Sequence, residues 1–287
     1  MFDMSDAIDL HVHTGPDLFP RLGDDLDIAR GCASVGMSAM AVKCHFESTA
    51  IRAHLVNQMV PNFTMYGGIT LNYPVGGINP TAVHACLSVG GKVVWMPSGH
   101  SCYHAEITGS LGSWGNDFMR LENPAGATGI SVLDAEGKLT PDAREVIRLV
   151  ADNSALLATS HLAPSEILAV VDEARSVRAR VLVNHVMYMP RCDVGFVEEV
   201  VNRGALVEVC SVLVGGFWDK LRLQDVQQII ERVGAGKVVL ASDGGGIQTP
   251  IPHESLRVLL DNLLHAGVPA ASLRQMVVAN PRALLGL

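Results

Sequence analysis

Short apolar runs rich in β-branched residues recur along the chain at intervals of roughly thirty residues, with amphipathic stretches between them. The runs are 7–12, 38–44, 64–71, 92–97, 155–160, 180–185, 205–210 and 237–242. The spacing predicts helices over 25–35, 48–59, 80–89, 140–152, 164–177, 193–203, 223–233 and 253–265. Several carry start signals: Pro80 follows Asn79, Pro141 follows Thr140, and Ser165 and Glu166 follow Pro164. Strands that are nearly all apolar and alternate with helices belong to a parallel sheet covered on both sides. Eight such units predict an α/β fold in the form of a single (β/α)8 TIM-type barrel rather than an open doubly wound sheet.

The period breaks once, between the fourth and fifth strands. Within this interval GISVLDAEGKLT (129–140) reads as a β-hairpin turning at Glu136-Gly137, and the stretch from Ser98 to Asp117 reads as an ordered excursion. Insertions at the C-terminal ends of barrel strands overhang the site, so 98–139 is expected to cap the active-site face, with oligomer formation as the alternative role. No internal repeat or low-complexity segment interrupts the βα rhythm. Residues 1–287 are therefore expected to form one domain.

Composition narrows the function. Hydrophobic residues make up 48% of the 287 and charged residues 17%, which implies a large buried core and argues against disorder. A formal charge of −8 with scattered Lys and Arg argues against nucleic acid or an anionic membrane as partner. The first strand begins without a basic and apolar leader, and no apolar run reaches the ~18 residues that span a bilayer. A soluble cytoplasmic protein with a small-molecule substrate is the expectation, and a homo-oligomer is compatible with it. The cysteines Cys32, Cys44, Cys86, Cys102, Cys192 and Cys210 are dispersed without a CxxC, as suits free thiols in a reducing compartment.

Candidate chemistry gathers at one end of the predicted barrel. His11 and His13 close strand 1 as an HxH pair in DLHVHTGPD, Lys43 and His45 close strand 2, His161 follows strand 5, His185 closes strand 6, and Asp243 follows strand 8. In a parallel barrel all strand C-termini share the face where the active site sits. Imidazoles and one carboxylate drawn from five strands suit a catalytic divalent transition metal better than a closed structural site. Zinc is the first expectation, with one ion favoured over two; manganese, iron and cobalt suit the same donors. Such an ion lowers the pKa of bound water from 15.7 towards ~7. Asp243 would then take the proton and pass it to the leaving group, while His185 or His161 ligates or orients the substrate.

Other residues have weaker claims. Lys43 and His45 share the parity of Ala39 and Ala41, so all four face the axis if the alanines do. Lys43 could bridge metals, contact a substrate anion or pair with Asp9 or Glu208. Glu208, alone in the apolar ALVEVC, needs a partner when buried. Asp9 could orient an imidazole or satisfy backbone groups. Arg21 in the first βα loop could clamp a carboxylate, and His100 and His104 at the start of the insertion could reach the mouth. The GGG after Asp243 lacks the spacing of a phosphate loop and instead suggests close backbone approach.

This arrangement resembles the amidohydrolase superfamily. His11 and His13 match its strand 1 HxH, His161 and His185 stand for its histidines on strands 5 and 6, Asp243 for its aspartate after strand 8, and NPRALLGL (280–287) is similar to its last helix. The resemblance implies a metal-dependent hydrolase of small molecules. One departure is that strand 3 ends TLNYP and strand 4 MPSGHS, so the bridging Lys or Glu of binuclear members has no counterpart there, unless Lys43 or Glu208 substitutes. The alternatives are a metal-dependent decarboxylase, a phosphoesterase of the polymerase-and-histidinol-phosphatase type, which usually shows Asp-His where this chain has Asp243-Gly244, and a barrel that binds a metabolite without turnover.

Overall fold

The computed structural model describes residues 1–115, 119–188, 190–214 and 220–287. Its strands are β1 (Ile8–Val12), β2 (Ala39–Val42), β3 (Thr64–Tyr66), β4 (Gly68–Thr70), β5 (Val93–Trp95), β6 (Leu156–Ala158), β7 (Arg180–Val183), β8 (Leu206–Cys210) and β9 (Val238–Ala241). All adjacent pairings are parallel, in a sheet ordered β1-β2-β3 and a second ordered β4-β5-β6-β7-β8-β9. The molecule is thus an α/β fold with parallel strands.

Each expected strand is present. The third is divided at Gly67, where a Cβ would lie 2.5 Å from Ala50 Cα, so the strand passes too close to a helix start for any side chain. The ends of β9 and β1 are also joined: Asp243 N donates to His11 O at 2.8 Å, His13 N donates to Gly244 O at 2.8 Å, and Val12 and Gly244 form a parallel bridge. Each expected helix is present as well, within a residue or two of its expected ends. Asn79, Thr140 and Asp193 cap three of them by accepting from the N–H three residues on.

Period-2 alternation divides the apolar residues into two layers. Ile8, Leu10, Ala39, Ala41, Val93, Trp95, Leu156, Ala158, Leu182 and Val239 pack with one another and with Leu284 and Leu285 of the last helix (Asn280–Leu285). The alternate positions Met40, Val42, Val94, Leu157, Val183, Val207, Val209 and Leu240 pack against the helices. Strict alternation from Ile8 and Leu10 would send His11 into the helix layer. The β1–β2 register shifts between Asp9 and Val12, and this irregularity brings His11 and His13 to the inner face while Val12 joins the outer layer.

Within 98–139 the described residues include a helix at Cys102–Thr108, which the sequence reading leaves as an unassigned excursion. Ser101 pairs with Ile130, and Leu133 pairs antiparallel with Leu139 around a turn in which Gly137 N donates to Asp134 O. Residues 116–118 of this expected cap lie outside the described residues. Among the described residues no helix is long and apolar enough to cross a membrane.

The junction of β9 with β1 depends on one glycine. Gly245 has φ +114°, and a Cβ there would sit 1.8 Å from His13 O. Gly245→Ala is expected to cost about 1–3 kcal/mol and to lower the thermal midpoint by about 2–6 °C. A variant that melts with the parent would show that the backbone approach is not a constraint.

Candidate metal centre

The site is built where β1, β2, β7, β8 and β9 end. His11 is fully buried, and its Nδ1 donates to Glu208 Oε1 at 2.8 Å. A carboxylate only accepts, so this bond puts the His11 proton on Nδ1 and leaves the Nε2 lone pair free. His13 Nδ1 donates to Lys43 O at 2.9 Å, which frees its Nε2 in the same way. Both Nε2 atoms lie 3.1 Å from Asp243 Oδ1. These three groups bring two lone pairs and a carboxylate oxygen together with no proton of their own between them, a place for a cation beside Lys43 Nζ.

His185 completes the group. Its ring is buried, 5.5 Å from that of His11 and 4.8 Å from that of His161, and neither of its nitrogens has a hydrogen-bond partner. Ligand atoms of His11, His185 and Asp243 lie within 4.8 Å of one another. A buried imidazole with two unpartnered nitrogens is costly unless something binds it. The donor set therefore fits a transition metal, with His11, His185 and Asp243 as the first holders and His13 adjacent. Burial, reinforced by the charge of Lys43, pushes His185 down to about 3, and burial with Arg21 takes His13 to about 3. Both are thus held neutral, the form that ligates.

Glu208 anchors this constellation from below. Burial alone would raise its pKa, but the attraction and hydrogen bond of the His11 N–H, with help from His185 and Cys210, outweigh it and bring the carboxyl to about 2. Oε1 also accepts from Asn184 Nδ2 at 3.1 Å, His185 N at 3.3 Å and Cys210 Sγ at 3.1 Å. Glu208 thus orients a ring and a loop rather than lining the pocket. His11, Glu208 and Cys210 form a second close group on the far side of the same ring. Asp9 accepts from the backbone N–H of His11 at 3.1 Å and Ser242 at 3.0 Å, and burial lifts its carboxyl to about 7. It supports the strand ends, and among the described residues no hydrogen bond joins it to an imidazole.

A pocket of about 810 Å³, counted out to its mouth, opens over the centre and is lined by His13, Lys43, His161, His185 and Asp243 among others. Lys43 Nζ lies 3.3 Å from His11 Nε2, and burial pushes the amine down from its ordinary value. His45 stacks on His13 at 5.0 Å, and Arg21 lines the rim beside its partner Asp17. His161 lies on the pocket wall outside the closest group, and its Nδ1 is 2.7 Å from His104 Nδ1. Because His104 Nε2 donates to Ser113 O at 2.7 Å, its Nδ1 accepts, and His161 keeps its proton on Nδ1 with Nε2 free. His100 is placed elsewhere: it accepts from Tyr73 N at 3.3 Å and donates to Glu122 O at 3.2 Å, holding the loop without lining the pocket.

Sequence reasoning passes over Asn184, Cys210, Tyr188, Phe19 and Trp114. Asn184 lies between the apolar run Val181–Val183 and His185, and that placement is a usable signal of a buried hydrogen-bond role. The aromatic residues carry none, because their places depend on loop paths.

A histidine-rich pocket at the C-terminal ends of parallel strands in an α/β fold is the class this structure defines. Residues 6–208 match the family described as "Family of unknown function (DUF6282)", and the chain belongs to that family. No curated protein matches it in sequence. Solved structures with the same fold include the probable dipeptidase PvdM from Pseudomonas aeruginosa, with 13% identity, TM-score 0.66, and coverage of 98% of this chain and 94% of that one. An amidohydrolase from Pseudomonas aeruginosa follows at 13% identity, TM-score 0.63, and coverage of 98% and 95%. The 2,6-dihydroxybenzoate decarboxylase from Rhizobium aligns at 13% identity, TM-score 0.56, over 99% of both chains. These structural relatives are amidohydrolase-superfamily members.

Removing the Glu208 charge while keeping its shape tests the anchoring role. Glu208→Gln is expected to weaken zinc binding about 10–100-fold in a chelator competition, with the far-UV circular dichroism unchanged. Unchanged affinity would contradict it.

Proposed function

We propose that this chain is a metal-dependent hydrolase acting on a small molecule, built as one (β/α)8 barrel over residues 1–287, with 98–139 capping the active-site face. The convergence of the His11 and His13 Nε2 lone pairs on Asp243 Oδ1, next to the unpartnered ring of His185, carries the reading. The hydrogen bonds joining β9 to β1, the division of the third strand at a single glycine, and the wall contributed by Trp114 support the architecture.

When bound, a divalent ion supplies Lewis-acid polarisation of a carbonyl-like or phosphoryl oxygen and acidifies water near it. The protein's own residues do the rest. His11, His13, His185 and Asp243 are the holders, and zinc is the first choice of ion. Asp243 has a side chain 21% exposed towards the pocket; burial would raise its carboxyl, but His11, His13 and His185 hold it well below the ordinary value. It is ionised at neutral pH, so it can accept a proton from water at the pocket floor and return it to the leaving group. His161 presents a fixed Nε2 lone pair to the same space and orients either water or the substrate's N–H or O–H. The aromatic lining restricts bulk water.

Decarboxylation is the second reading, favoured by Lys43. Its ammonium stands beside the centre and offers a proton to the carbon that loses carbon dioxide.

Purified protein is expected to carry about one equivalent of transition metal. In His185→Ala and Asp243→Asn that content should fall, together with turnover on a panel of lactones, amides and carboxylates. Carbon dioxide release in place of hydrolytic products would select the second reading. Less than about 0.3 equivalents of tightly held metal, with an unperturbed cobalt spectrum on adding either variant's ligand change, would remove the metalloenzyme reading.

A further inference from the structure

Two basic side chains on the pocket wall keep N–H groups that the neighbouring carboxylates do not take up. Lys43 is 2% exposed, and among the described residues it has no ion pair within 4.0 Å; its one hydrogen-bond contact is His11 Nε2, which leaves most of its N–H capacity unused. Asp243 and Glu208 attract the amine without a direct contact, so its N–H groups stay available to an anion that arrives with the ligand. Arg21 stands on the same wall with a side chain 5% exposed. Asp17 Oδ2 takes its Nε edge at 2.7 Å, and Nη2 is 2.5 Å from the same oxygen. That arrangement occupies the side of the guanidinium and leaves the end edge, with Nη1, for another acceptor. Arg21 also lies 5.5 Å over the ring of Phe19, which fixes its plane.

His45 adds a third donor. Asn72 Nδ2 donates to Ser98 Oγ at 2.9 Å, so the Ser98 hydroxyl has His45 Nδ1, at 3.0 Å, as the acceptor for its own proton. The His45 proton then sits on Nε2, making this edge a donor. The surroundings of these donors are flat and apolar: Phe19 and Trp114 meet edge to face at 5.3 Å, His45 lies 5.0 Å from Trp114, and Tyr188 packs on His185 at 5.6 Å.

We infer that the ligand of this pocket is a small carboxylate carried on a flat, ring-bearing body, its carboxylate received by Lys43 and Arg21 and its ring by Phe19, Trp114 and Tyr188. The end edge of the Arg21 guanidinium, with the Lys43 amine beside it, suits the two oxygens of a carboxylate. The inference rests on the proposed reading in taking this pocket as the substrate site, but it concerns a charge and a shape that exist with or without turnover.

The test is equilibrium binding to zinc-treated protein of measured metal content, followed by quenching of tryptophan fluorescence. Benzoate, benzamide, acetate and phenylphosphonate are the probes. Benzoate is expected to bind at least about tenfold more tightly than benzamide, which lacks the charge, and than acetate, which lacks the ring. Arg21→Gln should cost benzoate about tenfold while leaving metal content at the parent's level, and Lys43→Met should do the same to benzoate if it folds. Equal binding of benzoate and benzamide, benzoate affinity unaltered in Arg21→Gln, or phenylphosphonate binding as tightly as benzoate would each overturn the inference. Loss of the metal reading would show separately, as low metal content with benzoate selectivity retained.

Discussion

The carboxylate of Glu208 is the constraint on which the site depends. It is fully buried in a strand that is otherwise apolar, and it is stabilised only by collecting donors from β1, the end of β7 and its own strand. Each donor it collects is thereby placed. The His11 ring can take one orientation, the Asn184 amide one orientation, and the loop carrying His185 is held by its backbone N–H. A buried charge of this kind contributes little net stability, because its desolvation offsets much of what the hydrogen bonds return. What it supplies is uniqueness of geometry, and a centre made from several strands needs that more than it needs stability.

Around this anchor the electrostatics separate into two layers. Below, Glu208 and Asp9 fix strand ends and protons. Above, neutral imidazoles and the ionised Asp243 face the pocket beside Lys43 and Arg21, so attraction for a metal and attraction for an anion occupy neighbouring parts of one wall. Burial makes both stronger, since there is little water to screen them. His13 and His185 stay in their ligating form for the same reason, because the burial that removes water also disfavours a second proton on either ring.

Much of this was legible in the sequence. The alternation of apolar runs with amphipathic stretches was sufficient for the strands and helices, since the parallel sheet requires apolar residues on both faces and the helices one face only. The clustering of His11, His13, Lys43, His45, His185 and Asp243 followed from a rule of topology, that parallel strands end on one side. Three features were out of reach for physical reasons. The register shift in β1 re-aims His11 by one residue, and no pattern of polarity distinguishes that from plain alternation. Glu208 reads as a candidate contact, yet its work is to orient, which depends on which donors of neighbouring strands come within reach of its oxygen. The partners of His100 and His104 lie in a long connection whose path obeys no period, so two similar histidines were placed by it in unlike surroundings, one against a loop carbonyl and the other against His161.

That last pairing ties the connection to the centre by a proton. The carbonyl of Ser113 decides which nitrogen of His104 is protonated, and His104 in turn decides the same for His161. The segment after β5 is therefore not one that could be shortened or exchanged for a relative's loop of similar length without consequence for the site. A graft that kept its shape but displaced one backbone oxygen would leave every pocket residue present and let the His161 ring choose its tautomer afresh. In engineering terms, the loop and the strand-end histidine are a single inherited unit.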